Sequence, residues 1–100
     1  MILKNSVKLG GVRAETVIGM IVVSAVYAAH GLRLRVTSVK DGKHQDGSLH
    51  YAGLAFDAGV RDVPAALLAQ LLTECKRSLS PQWDIVAERD HIHFEFDPKN

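Results

Sequence analysis

The chain reads as a small α+β domain, a mostly antiparallel sheet with two helices on one face. Three observations predict this. Two stretches, Ala14 to about His30 and the run after Pro64, are apolar over helical lengths, while Leu32–Val39 and His91–Phe96 alternate with the period of a strand. Turn residues separate these stretches, with no linker, repeat or low-complexity segment between them. One hundred residues form one domain with a single core, residues 1–13 being its lead-in segment.

The lead-in holds Ile2, Leu3, Val7, Leu9 and Val12 among lysines and a Gly10-Gly11 pair, which suits a short edge strand. From Ala14 to about His30 the chain is apolar almost all round, and a helix without a polar face is expected to be buried. Its β-branched residues leave a strand as the competing reading, but the length favours a helix, which Gly31 would stop. In Leu32–Val39, Leu32, Leu34 and Val36 share one face and Arg33, Arg35 and Thr37 the other, as in a half-buried strand. Residues 40–49 are loop by composition, and Gly53–Asp57 makes a short strand with Ala55 and Asp57 on one face. Asp62 and Pro64 announce a helix whose buried stripe is expected to be Leu68, Leu72, Cys75 and Leu79, with Lys76 and Arg77 suiting its C-terminal dipole and Pro81 ending it. Trp83–Ala87 and His91–Phe96 form two strands joined by a tight turn at Glu88, Arg89 and Asp90. In the second, Ile92, Phe94 and Phe96 face the core and His91, His93 and Glu95 the opposite side.

Composition narrows the function classes. Twelve basic against eleven acidic residues leave a net charge of +1 and no basic face for nucleic acid. The lone cysteine, Cys75, allows no internal disulfide and reads as a small core residue. The run Val17–Ala29 follows Lys4, Lys8 and Arg13 as in a secretory leader, but Glu15 and Thr16 before it mark a helix start, and its removal would strip the core. It is shorter than the roughly 20 residues a bilayer span needs, so no membrane association is expected.

Metal-type residues gather in the second half of the chain. A catalytic zinc takes three protein ligands and keeps one position open for water, and His50, Asp57 and His93 are the candidate set for one ion. Gly53 and Ala55 would let the backbone pass close beneath the metal. Zinc lowers the pKa of water to about 7, and a carboxylate must then take the proton: Asp90 first, Glu88 second. His91, on the strand face of His93, suits an oxyanion contact or a proton shuttle. Glu95 suits support of a ligand or a solvent-facing position, and His30 a helix C-terminus.

Ser48, His50, Gly53, Ala55 and Asp57 fill every fixed position of an S-x-H-x-x-G-x-A-x-D signature, and His91-Ile92-His93 supplies a His-x-His. On these residues the chain resembles the zinc D-alanyl-D-alanine carboxypeptidase and dipeptidase family, phage L-alanyl-D-glutamate endolysins, and the hedgehog signalling domain that shares their fold. His44, six residues before His50, and the text Ser48-Leu49-His50-Tyr51 look especially like hedgehog. The likeness covers roughly residues 15–97 in element order, though its specific motifs occupy only about twenty positions.

The resemblance implies a DD-peptidase- or hedgehog-like fold and one zinc ion held by His50, Asp57 and His93. It places the acid/base at Asp90 in the bacterial register and nearer Glu88 in the hedgehog register, and the choice stays open. Lys40 stands where family members carry a carboxylate-binding arginine and lacks the bidentate fork, which favours endopeptidase over carboxypeptidase action. Lys40, His44 and Ser48 are the expected substrate-binding residues. The function implied is hydrolysis of a peptide bond in peptidoglycan stem peptides. By analogy the protein is a monomer of phage or prophage type, cytoplasmic before release and acting on the cell wall. The alternative is a zinc-containing binding or structural module with little or no hydrolysis.

Overall fold

The structure, a computed structural model, describes residues 1–39 and 52–98. Its elements run β1 (Ile2–Leu3), α1 (Ala14–Ala28), β2 (Arg35–Ser38), β3 (Ala55–Gly59), α2 (Ala65–Ser78), β4 (Trp83–Ala87) and β5 (His91–Phe96). The five strands form one sheet in the order β1-β2-β3-β5-β4. Only the β1–β2 pair is parallel; the other three are antiparallel, so the architecture is the α+β class expected.

The sheet's inner face carries Val36, Phe56, Ala58, Ile92 and Phe94, all buried under the two helices. Phe56 and Phe94 are cross-strand partners whose rings stack at 4.7 Å. Trp83 meets Phe56 and Phe96 edge-on at 6.0 and 5.6 Å, the offset geometry that aromatic quadrupoles favour. The helix completes that cluster through Gly19, where an added Cβ would lie 2.4 Å from the Trp83 ring.

Two expectations about the helices need correction. α1 has no polar face, yet only Thr16, Gly19, Met20, Val23 and Tyr27 are buried, while Val17, Ile18 and Ile21 are exposed. A helix lying on one sheet face and beside one other helix has too little protein around it to cover its whole circumference. In α2 the buried line runs through Leu71, Cys75 and Leu79; Leu68 and Leu72 flank it half-buried. As Asp62 and Pro64 announced, α2 starts directly after Pro64, its N-cap residue, and Asp62 is ion-paired with Arg35. Gly31 does end α1's last turn, at φ +70°, with the Leu32 amide returning to the Tyr27 carbonyl. Burial pushes the Cys75 thiol up to about 12, consistent with a core rather than a reactive residue.

Candidate metal centre

Strand alternation sets the site. β5 buries Ile92 and Phe94 against the helices, so His91, His93 and Glu95 project from the outer face. β3 does the same with Phe56 and Ala58, which turns Asp57 outward. The β3–β5 register then places Asp57 directly opposite His93, with Ala55 opposite Glu95 and Gly59 opposite His91.

The side chains meet. His93 Nδ1 lies 3.0 Å from Asp57 Oδ1 and its Nε2 lies 2.8 Å from Glu95 Oε1. His91 Nε2 is 3.8 Å from the same Asp57 oxygen, while its Nδ1 is 2.7 Å from Asp90 Oδ1. Asp57 is 8% exposed, a carboxylate almost withdrawn from water. The hydrogen bond to Asp57, with help from Glu95, outweighs burial and holds the metal-free His93 imidazolium up to about 9. Asp90 is drawn below its usual carboxylate range, chiefly by its hydrogen bond to His91.

Of the three expected ligands, Asp57 and His93 are brought together, and His50 lies outside the described residues, as do Lys40, His44 and Ser48. Asp90 is on the turn, its side chain 86% exposed and turned to His91. Glu88 is exposed on the same turn, and its backbone amide donates to the His91 carbonyl at 2.8 Å. Gly53 has a different reason for being glycine from the one expected. Its φ is +75°, and an added Cβ would lie 2.4 Å from the Gly11 carbonyl oxygen. Its own carbonyl accepts the buried Thr16 hydroxyl at 2.7 Å and the Arg13 amide at 3.0 Å. The glycine locks the segment leading into β3 onto the start of α1.

Two donors of one tetrahedral ion stand about 3.4 Å apart, given metal–ligand distances near 2.1 Å. The 3.0 Å between Asp57 Oδ1 and His93 Nδ1 is a hydrogen-bond distance, just inside that edge. Glu95 accepts from the far ring nitrogen, which leaves Nδ1 as the lone-pair nitrogen once its proton is lost. The N/O donor set suits zinc and does not exclude other divalent ions.

No protein-family profile matches the chain, and no solved structure matches it significantly. Among the described residues, no helix is long and apolar enough to cross a membrane.

A second group escaped the sequence reading. Asp84, Glu95 and Asp97 each bring a carboxylate oxygen within 4.8 Å of the others and could hold a metal ion. An all-carboxylate set suits harder cations than zinc. The signal was available in the hairpin: a three-residue turn between β4 and β5 pairs Asp84 with Glu95. Glu95 thus belongs to both groups, with one oxygen already engaged by His93.

Proposed function

We propose that the domain is a zinc-dependent peptidase acting on a peptide bond of peptidoglycan stem peptides, with His50, Asp57 and His93 holding the ion. The observation that carries this reading is the pairing of Asp57 with His93 across β3 and β5 at 3.0 Å, with Glu95 behind the imidazole. Zinc would supply Lewis acidity and lower the pKa of water to about 7.

The remaining chemistry falls to His91. Its Nε2 borders Asp57 at 3.8 Å and its Nδ1 is held by Asp90, so the ring is fixed in orientation with one nitrogen toward the site. In the proposed reaction His91 takes a proton from water as the water oxygen bonds to the scissile carbonyl carbon. It returns that proton to the amide nitrogen as the C–N bond breaks, leaving a carboxylate and an amine. Asp90 orients His91. This differs from the direct base role expected of Asp90: drawn below its usual range and solvent-facing, its carboxylate is a poor proton acceptor at neutral pH.

The test is digestion of purified peptidoglycan by zinc-loaded protein, scored by new amino termini, beside His91→Ala and Asp90→Asn. Cleavage lost in His91→Ala and reduced in Asp90→Asn, with zinc content unchanged in both, supports the reading. The exposure of Asp90 and Glu88 favours a second reading, a zinc-holding binding module without turnover. Stoichiometric zinc without cleavage selects it, and protein purified without added metal that contains none overturns both.

A further inference from the structure

Among the described residues, seven of the eight large hydrophobic residues left exposed fall within residues 1–21, and two of them, Ile18 at 61% and Ile21 at 57%, are the most exposed of these. They belong to a stripe. Ala14, Ile18, Ile21, Ala25 and Ala28 are all exposed, apolar and spaced 4-3-4-3 along α1. That spacing is the a/d seam of paired helices, a pattern whose natural occupant is another helix. Beside the C-terminal half of the stripe runs a groove of about 460 Å³, lined by Val22, Ala25, Val26 and Ala29 of α1 and by Glu74 and Arg77 of α2.

We propose that α1 forms a two-fold symmetric homodimer, the helices antiparallel, in which Ile18 and Ile21 of each subunit fill the groove of the other. The knob and the hole lie on one helix of one chain, which is the self-complementarity an isologous interface requires. An antiparallel crossing sets the bulky N-terminal half of α1, with Ile18, against the small C-terminal half, with Ala25 and Ala28. It also carries Glu15, the acidic residue of α1's first turn, toward the groove end lined by Arg77 of the partner subunit. Two isoleucines this exposed on one helix face form the kind of apolar patch that marks an interaction site on a folded protein. Both helices lie on the sheet face opposite Asp57 and His93, so the dimer leaves two outward-facing sites. The inference does not rest on the proposed hydrolysis, and it replaces the monomer expected from sequence.

Sedimentation velocity from about 1 to 100 μM is expected to show a species of twice the 10.9 kDa chain mass. Ile18→Asp, at an exposed position, should weaken association at least about tenfold while the far-UV circular dichroism spectrum is kept. Glu15→Arg should weaken it as well, and Arg77→Glu in the Glu15→Arg background should restore it. A wild-type chain that stays at 10.9 kDa throughout, whether or not it binds anionic vesicles, overturns the proposal. So does a dimer indifferent to Ile18→Asp, or one in which the double charge swap restores nothing.

Discussion

Zinc affinity should rise steeply with pH well above the range of an ordinary histidine. The perturbation is a change from pH 7 to pH 9 on protein stripped of metal. His93, raised from 6.5 to about 9 by Asp57 and Glu95, must shed its proton before Nδ1 can serve as a ligand. At pH 7 only about 1% of molecules carry a neutral imidazole at that position, so the apparent affinity sits about 100-fold below its high-pH limit. It should climb about tenfold per pH unit between 7 and 8.5 and level off above 9, with close to one proton released from His93 per zinc bound at pH 7. Competition against a chromophoric chelator in zinc-buffered solution measures the slope. Calorimetry in buffers of different ionisation enthalpy counts the proton. Asp57→Asn is not a clean control, because it removes a proposed zinc ligand; Glu95→Gln keeps Asp57 and His93, relieves one cause of the shift and should flatten the climb. A wild-type affinity flat between pH 7 and 9 would refute the reasoning.

The same proton affects the metal-free fold with the opposite sign. A histidine raised in the folded state stabilises it fully below 6.5, and that contribution is lost as pH rises through about 9. Urea unfolding of metal-free protein at pH 6 and pH 9.5 should differ by on the order of 1–2 kcal/mol, a figure kept below full linkage because the pair reaches solvent. Gly53→Ala should cost at least about 2 kcal/mol, since its Cβ meets the Gly11 carbonyl at positive φ, and should weaken zinc binding with it. Gly19→Ala should destabilise by about 1–3 kcal/mol where an open helix position would gain about 1, and should shift Trp83 fluorescence. Tyr27→Phe should be neutral or stabilising by up to about 1 kcal/mol in thermal melts, because the buried Tyr27 hydroxyl has no hydrogen-bond partner among the described residues.

What the sequence disclosed followed from local pattern. β4 and β5 were legible residue for residue because a period-two alternation ran up to a three-residue turn on both sides. The outward set of His91, His93 and Glu95 came with it. The pairing of Asp57 with His93 was an inference from motif, since nothing local says that β5 inserts between β3 and β4. The exposure of α1 was illegible for a different reason: a helix apolar all round has no periodicity to reveal which side lacks a neighbour. Gly53 resembled a metal-site glycine because the sequence cannot show that Gly11 and Thr16, about forty residues earlier, press against it. Asp90's attachment to His91 is a side-chain orientation, which spacing from His93 could not predict.

The insertion of β5 between β3 and β4 also bears on kinetics. Asp57 and His93, 36 positions apart with α2 and β4 between them in the chain, become neighbours only through the pairing of β5 with β3. An ion held across that seam would need both strands in place before it could bind, and would act as a clasp against opening. Its signature would be a longer native lifetime at an unchanged refolding rate.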